Sequence, residues 1–591
     1  TYDMAQTMMW QIIDPMLKDG YFADLRLRPQ QIVSQLLDNM VRAAFNGLTV
    51  QDAIEKQLVS WGTDPEHRRQ LKDAERAALQ FRERCYENSL VDTALIIDIF
   101  NRIVAQDPRL YTSFFGCYHH LLVDNVEEQT PVGIDFIRRL LARESAIETA
   151  IVAQDDGGGY KRFLSASPQL AKGLDTAADV SVELNKNFHE ADQVYQIAHQ
   201  VNHFLLGSQP KGDDVQVKTS ILGHLHTRYR RQMLSQIGPV IEQIIAAENV
   251  DPTDIAIILP YMDGALRFKL TQSLNQAGIP YQINRRRESP REVPQVRAWL
   301  TWLLLANDWR NREVESDRFG LIKPTTHDIA EALSISIEGL DAVRSYMMAE
   351  ALYDQSSGLM NNRSTLTNQQ IERIGEHHLD AAQILFDWLT AHGNRGDNSL
   401  TPDFFFHGLF SELLSRPPFR QTPDTGIAAV CDWLIQMASR FRQAGGRVIS
   451  DDSETIGLAL VQGIYSGLVT ANPPAVGEPP NPDGVFISNI QTYLLEERPV
   501  PIQIWLETSA TGWWDLPRQP LSNGFVLDPR WSINQTWTLE DDVRIRNEQL
   551  SRVVVGLCSR CSRGVYLATS DLDRRGARQD GVLFKAIQST F

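Results

Sequence analysis

The chain has 591 residues, a length at which a single hydrophobic core no longer grows and several domains are expected. Hydrophobic residues make up 43% and charged residues 22%, a composition typical of globular proteins that excludes a disordered chain. The formal net charge of −17 argues against a protein that coats nucleic acid nonspecifically, because phosphate contacts drive such binding, yet it permits a local basic channel.

The composition also bears on compartment and metal content. Without a run of about 18 apolar residues or the layout of a signal peptide, we expect a cytoplasmic protein with no membrane partner. Five cysteines fit a reducing compartment. Only Cys558 and Cys561 form a CxxC pair, and with no second pair or nearby histidine to complete four ligands we predict no metal site.

The first half of the chain passes from helices to an α/β layer. Apolar positions recur at helical spacing through the first ~115 residues, as in IVSQLLDNMVRAAF and TALIIDIFNRIV. Two short apolar runs follow, HLLVDNVEE and AIVAQDD, with the helical pattern PVGIDFIRRLLAR between them. Strand, helix and strand in this order predict parallel strands in an α/β layer.

The second half repeats this alternation on a larger scale. A strand IAIILP, an amphipathic helix ALRFKLTQSLNQAG and a short edge IPYQI are followed by a helical region from about 311 to 475. The stretch ANPPAVGEPPNPDG, dense in proline and glycine, is a predicted linker. Three more predicted strands follow it: GVFISNI, VPIQIWLE and RGVYLATS.

The segment YHHLLVDNVEEQTP carries the first motif with a chemical meaning. It resembles the motif of UvrD-like superfamily 1 DNA helicases in which a strand delivers an Asp-Glu pair. In that family the aspartate holds magnesium through water and the glutamate activates the attacking water. Here the pair is Asp124 and Asn125, and an amide cannot accept the proton, which predicts a loss of ~10²–10⁴ in rate. Glu127 replaces the family's glutamine.

Two further segments resemble nucleotide-handling and DNA-handling motifs of the same family. After AIVAQDD the family has a glutamine sensor and an aromatic-basic run that stacks on bases. Gly157 stands at the sensor position, and Tyr160, Arg162 and Phe163 follow. The segment VELNKNFHEADQ resembles the LxxNYRSP motif. There His189 replaces an arginine that contacts the γ-phosphate, and a neutral imidazole is no substitute for a bidentate guanidinium.

The second motor domain of the family is similar to IAIILPYMDGALRFKLTQSLNQAGIPYQI and to the last strands. Pro260 or Tyr261 stands where the family has an arginine. Within GVFISNIQTYLLEERPVPIQIWLE, Glu497 remains as a match while three expected residues are replaced, by Gln491, Leu494 and Leu495. In LCSRCSRGVYLATS, Arg560 matches the arginine finger of the LTRAK pattern.

The resemblance implies a fold class: α/β, with two RecA-like parallel-sheet motor domains, each with a mostly helical inserted subdomain. The boundaries that it implies are 1–115 for the first insertion, 116–205 for the rest of the first RecA-like domain, 206–310 and 479–591 for the two parts of the second, and 311–478 for its insertion. The start TYDMAQTMMW resembles the TFHSF-type segment, so the family's phosphate loop would lie before Thr1. No glycine in this chain is followed by lysine, so it contains no GxxxxGK[ST] loop.

Three functions remain open at this point. The first is an ATPase-deficient module of DNA repair or recombination that binds single-stranded or junction DNA, beside an active helicase, nuclease or other repair partner, as inactive helicase folds of the RecC and AddB kind do. It requires no cofactor. The second is an active 3′-to-5′ DNA helicase whose phosphate loop lies in a preceding segment, with ATP and magnesium as cofactors. The third is a protein-interaction scaffold without DNA binding.

The candidate residues follow from these motifs, and each also has a structural explanation. Asp124 could cap a helix, Tyr160 and Phe163 could be core aromatics, and Arg560 could pair with an acid. The nucleotide-binding candidates are Asp124, Glu127, His189, Glu497 and Arg560. The DNA-binding candidates are Tyr160, Arg162, Phe163, Arg285, Arg286, Arg287, Trp513 and Trp514, of which the two tryptophans could equally pack between motor domains.

Overall fold

The structure, a computed structural model, describes most of the chain. The described residues are 2–62, 64–142, 146–155, 158–184, 192–207, 220–284, 289–307, 323–361, 363–393, 400–419, 425–449, 453–470, 473–474, 482–496, 498–516 and 519–589. They form a mixed α/β structure with a parallel sheet, which confirms the α/β part of the predicted fold class. Residue contacts divide the chain into two compact units, 1–38 with 72–93 and 285–478, and 39–71 with 94–284 and 479–591.

Helices make up most of the described chain. Several begin at a threonine whose side chain accepts the N–H of the third helical residue while an aspartate there bonds back, as at Thr49, Thr325 and Thr538. None of the described helices is long and apolar enough to cross a membrane. The α-helices are Tyr2–Lys18, Pro29–Phe45, Val50–Ser60, Pro65–Glu87, Thr93–Ile99, Pro108–Phe115, Pro131–Leu140, Pro168–Lys172, Asp192–Leu206, Arg230–Glu248, Gly264–Gln276, Pro294–Ala306, Thr326–Ser336, Ala342–Leu352, Asn368–Ile374, Glu376–His392, Pro402–Gly408, Thr425–Val448, Ser453–Ser466, Ile490–Glu496, Leu539–Cys558 and Val582–Gln588.

Shorter helical segments connect these elements. Two are π-helical, Phe100–Val104 and Leu409–Leu414. The 3₁₀ segments are Val126–Glu128, Tyr160–Leu164, Asp175–Ala177, Pro252–Asp254, Pro290–Glu292, Arg363–Thr365 and Thr511–Trp513. Ten strands, numbered in chain order, are β1 His120–Val123, β2 Thr149–Val152, β3 Ile221–Tyr229, β4 Ile255–Leu259, β5 Tyr281–Ile283, β6 Tyr353–Asp354, β7 Leu359–Met360, β8 Val485–Asn489, β9 Val500–Leu506 and β10 Cys561–Leu572.

The elements seen in the described part of the first unit are helices and the two-residue antiparallel pair β6–β7. Its core is a cluster of aromatic and aliphatic side chains contributed mainly by the helices between 294 and 466. Trp302 is fully buried there, and its indole N–H donates to Ser336 Oγ at 3.0 Å. The helices seen between 323 and 466 agree with the helical pattern of the sequence.

The second unit contains a small parallel sheet of β1 and β2. Val123 and Val152 point to one face and pack on the cluster around Val126 and Ile134. The opposite face is open: Leu122 is 76% exposed and Ile151, its partner in register, is 66% exposed. Parallel sheets usually have both faces covered. This sheet is unusual because no described residues cover the face of Leu122 and Ile151.

The same unit contains a six-stranded sheet with every neighbouring pair parallel, in the order β3-β10-β9-β4-β8-β5. Strand β4 shows how both of its faces are covered. Ile255, Ile257 and Leu259 face the cluster of helices Arg230–Glu248 and Gly264–Gln276. Ala256 and Ile258 face the cluster of helices Asp192–Leu206, Leu539–Cys558 and Val582–Gln588. The sequence predicted every strand of this sheet except β3.

Candidate functional site

Asp124 lies directly after β1 and is exposed. Its Oδ1 accepts the backbone N–H of Asn125 at 2.9 Å, and Asn125 adopts the left-handed conformation with φ 52° and ψ 46°. Asparagine tolerates this conformation better than most residues. Thr130, and not Asp124, caps the helix Pro131–Leu140, because its hydroxyl accepts the N–H of Gly133 at 3.3 Å. The carboxylate of Asp124 is therefore exposed to solvent, beside the amide of Asn125.

Glu127, three residues further on, is buried with 4% of its surface exposed. Its Oε2 accepts the backbone N–H of Asp155 at 3.1 Å. Burial raises the pKa of the Glu127 carboxyl above its ordinary value, with the neighbouring Asp155 and Glu128 acting in the same direction. A Cβ at Gly158 would lie 2.6 Å from Glu127 Cγ, so this close approach requires glycine.

Glu128 binds the segment that follows β2. Its Oε1 accepts the backbone N–H groups of Gly159 at 2.7 Å and Tyr160 at 2.8 Å, and its Oε2 accepts that of Lys161 at 2.8 Å. Gly159 has φ 89°, in the left-handed region, which lets the three N–H groups converge. An array of converging backbone N–H groups is a typical anion site, and here a carboxylate of the same chain fills it.

Tyr160 and Trp513 were both predicted to stack on bases, and both lie in the core. Tyr160 is 6% exposed, and burial raises its pKa to about 12. Trp513 is 5% exposed and donates its indole N–H to Leu506 O at 3.2 Å. Both belong to the apolar cluster on one face of the six-stranded sheet. Neither ring presents a face on which a base could stack. Tyr160 therefore has the core role that the sequence left as an alternative, and Trp513 packs in the same cluster.

Arg560 lies immediately before β10. Its guanidinium donates to Gly556 O at 2.9 Å and to Leu494 O at 3.5 Å, near the C-terminal ends of helices Leu539–Cys558 and Ile490–Glu496. The same guanidinium lies 5.7 Å from the centre of the Tyr160 ring. A cation is favourable at helix C-termini, where carbonyl oxygens lack helical partners. Arg560 also donates to Ser559 Oγ at 3.2 Å. Its contacts among the described residues are therefore with carbonyls, a hydroxyl and an aromatic ring, rather than the acid that the sequence suggested as an alternative.

Two more arginines connect the segment after β2 to the helix Leu539–Cys558. Arg162 forms an ion pair with Glu548 at 2.8 Å, and its side chain is only 8% exposed. Arg552 donates to Gly158 O. Burial lowers the pKa of Arg552, and the nearby Arg162 acts in the same direction. Arg162, predicted to contact DNA, is thus engaged inside the protein.

Of the remaining candidates, Trp514 is half-buried, and the others lie wholly or in part outside the described residues. Trp514 donates its indole N–H to Asn547 Oδ1 at 2.8 Å, and the Arg546 guanidinium lies 4.8 Å from the ring centre. The side chain of Phe163 lies outside the described part of the structure, as do the residues Gly157, His189, Arg285, Arg286, Arg287 and Glu497.

Sequence reasoning missed three members of this cluster: Glu128, Glu548 and Arg552. The paired acids of VEEQTP were a signal for Glu128, but the two residues of helix Leu539–Cys558 carry no motif. In the described part of the chain, no three histidine, cysteine, aspartate or glutamate residues are grouped as metal ligands. Cys561 is buried, which raises the pKa of its thiol to about 11.

The chain matches no protein-family model, and no curated protein matches it. The resemblance to UvrD-like helicases therefore rests on the order of the motifs and on the residues named above.

Proposed function

We propose that this chain is a UvrD-like helicase-fold protein of DNA repair or recombination, built on two RecA-like layers, that binds DNA or a repair partner without hydrolysing ATP. One observation carries the proposal. The groups that a nucleotide would need, at or beside the motif positions, are bound within the same chain. Glu128 accepts the N–H groups of Gly159, Tyr160 and Lys161, and Arg560 donates to Gly556 O.

The charge around Glu128 opposes a triphosphate. A phosphate bound to the N–H groups of Gly159, Tyr160 and Lys161 would have to displace a carboxylate that accepts all three. It would also lie close to the Glu127 carboxyl, whose pKa burial and the neighbouring Asp155 and Glu128 carboxylates raise. Like charges at short range disfavour each other, most of all where water is partly excluded.

Arg560 is in a poor position to act as an arginine finger. A finger must present its N–H groups to the γ-phosphate, where bidentate contacts stabilise the developing charge. The two terminal nitrogens of Arg560 donate to Gly556 O, Ser559 Oγ and Leu494 O, with the Tyr160 ring nearby. Arg560 would have to leave two helix ends to reach a nucleotide.

The catalytic base that the family's motif provides after the aspartate is missing as well. Asp124 is exposed and could hold a hydrated magnesium ion, but Asn125 beside it cannot take a proton from water. An exposed aspartate beside an asparagine is consistent with a protein that does not hydrolyse ATP, because neither side chain then has to bind or act on a nucleotide.

Binding of single-stranded DNA tests the proposal. Fluorescence anisotropy with a labelled oligonucleotide, repeated over a salt series, should give an affinity that falls by a slope of about 0.7 in log K per log salt for each phosphate contacted. Absence of binding, or an affinity that is equal at low and high salt, would contradict DNA binding and favour the scaffold function.

A further inference from the structure

The carboxyl ends of three strands of the six-stranded sheet meet at one edge. Tyr229 ends β3 and pairs in register with Leu572 at the end of β10, while β4 ends at Leu259. Strands β10 and β9 separate β3 from β4. Three strand spacings place the end of β3 roughly 14 Å from the end of β4.

Exposed aromatic rings lie at or near this edge, in contrast to the buried Tyr160 and Trp513. Tyr229 is 45% exposed, Tyr261 after β4 is 71% exposed, and Phe268 on the helix that follows is 62% exposed. Cations accompany two of them: the guanidinium of Arg228 lies 5.4 Å from the Tyr229 ring centre, and Lys269 Nζ lies 5.4 Å from that of Phe268. Aromatic rings interleaved with cations are what proteins use to hold single-stranded nucleic acid.

A groove of about 260 Å³ between helices Arg230–Glu248 and Gly264–Gln276 adjoins these rings. Its walls carry two cations, Arg231 and Lys269, and otherwise only serine and glutamine side chains. Lys269 Nζ donates to Gln272 Oε1 at 2.8 Å, and neither cation forms an ion pair with a carboxylate in the described part of the chain. The groove is thus positive and rich in hydrogen-bond donors.

Two of the acids at this edge, Asp263 and Glu507, are neutralised by arginines. Arg230 bonds Asp263 Oδ2 and Glu507 Oε2, each at 3.1 Å, and Arg574 lies 3.6 Å from Asp263. Asp571, an exposed acid on β10, lies 3.4 Å from His226 on β3. Arg231 and Lys269 in the groove, together with Arg228, therefore give this edge local positive charge, although the net charge of the chain is −17.

The geometry points to a strip made of Arg228, Tyr229, Arg231, Tyr261, Phe268 and Lys269 as a binding surface for single-stranded DNA. The cations contact phosphates, and the rings stack on bases. The roughly 14 Å between Tyr229 and the end of β4 accommodates a few nucleotides, because one strand of DNA has a phosphate about every 3.4 Å. This inference rests on the proposed function and names the surface through which it acts.

The test measures anisotropy of a labelled oligo-dT on the purified chain. The variant Arg231→Ala with Lys269→Ala should bind more weakly, and its salt slope should fall by about 1.4, which is about 0.7 for each lost contact. The variant Tyr229→Ala with Phe268→Ala should weaken binding about fivefold or more for each ring, the equivalent of at least ~1 kcal/mol per stacked base. Tyr229→Phe and Arg231→Lys keep the ring and the charge and should bind nearly as the unmodified chain does.

A matched control removes one exposed cation and one exposed ring elsewhere. Arg109→Ala with Phe114→Ala, on helix Pro108–Phe115, should leave binding unchanged. If the unmodified chain binds and the strip variants bind equally well, the assignment of the strip as the binding surface is wrong, whereas the proposed function stands. If the unmodified chain does not bind single-stranded DNA at all, the DNA-binding function fails and the strip with it.

Discussion

The ring of Tyr160 lies directly against Gly556 of helix Leu539–Cys558. A Cβ built on Gly556 would be 2.6 Å from Cε1 and Cζ of that ring, well inside van der Waals contact. Glycine is a poor helix former, so its presence inside a helix calls for a packing reason. Here the reason is that the segment after β2 packs closely on this helix.

Gly556→Ala should therefore destabilise the protein by ~1–3 kcal/mol, since overpacking outweighs the gain in helix propensity. Gly446→Ala, in helix Thr425–Val448, is the matched control, because no atom lies within 4 Å of a Cβ built there. It should stabilise by up to ~1 kcal/mol. Urea unfolding of the two variants measures both changes, and a stabilising Gly556→Ala would contradict the packing.

The carboxylate of Glu128 should make a measurable contribution to stability. Glu128→Ala leaves three backbone N–H groups without their acceptor and should lower the free energy of unfolding by about 2–3 kcal/mol. Glu128→Gln keeps one oxygen and should cost less. Thermal and urea unfolding distinguish the two, and an Ala variant as stable as the unmodified chain would show that these bonds do not form.

Glu127→Gln should stabilise the protein at neutral pH and much less in acid. Burial raises the folded-state pKa of Glu127, so the charged form is disfavoured in the folded state. Below the unfolded pKa of about 4.3 the carboxyl is protonated in both states and costs nothing. Stability is lost as the pH rises from that value through the folded pKa. Glutamine removes this loss and retains an acceptor for Asp155 N.

Urea unfolding of Glu127→Gln and the unmodified chain near pH 4 and near pH 7.5 measures this effect. The advantage of the variant should grow between the two conditions. An equal difference in the free energy of unfolding at both would mean that the pKa of Glu127 is not raised.

The open face of β1–β2 makes a different prediction. Because Leu122 and Ile151 are 76% and 66% exposed, Leu122→Ser with Ile151→Ser should change the free energy of unfolding by less than about 1 kcal/mol in total. The partly buried pair on the other face, Val123→Ser with Val152→Ser, should cost several times more, because these side chains pack on the cluster around Val126 and Ile134. A large loss from the first pair, measured by urea unfolding, would mean that other residues cover that face.

The sequence was sufficient to predict the strands that are buried on both faces. A run such as IAIIL has no polar residue because helices cover both sides of β4, and such a run is conspicuous. Strand β3 escaped prediction because polar side chains interrupt its apolar residues. His224 and His226, on one of its faces, are exposed, so the run ILGHLHTRY lacks a continuous apolar signal.

The candidate site was harder to predict for a physical reason. Tyr160 and Trp513 are aromatic in either role, and only their burial among distant residues separates packing from base stacking. The bonds of Glu128 and Arg162 join segments far apart in sequence, and periodicity contains no information about such pairs. Likewise the rings of Tyr229 and Phe268 stand out only once their exposure is known.

ATP turnover by the purified chain, with magnesium and saturating single-stranded DNA, is the most direct test of the central claim. We expect no hydrolysis above that of an Asp124→Asn, Arg560→Ala variant, because Asn125 provides no base and Arg560 is bound to helix ends. DNA-stimulated turnover that the variant loses would contradict the account and support an active helicase.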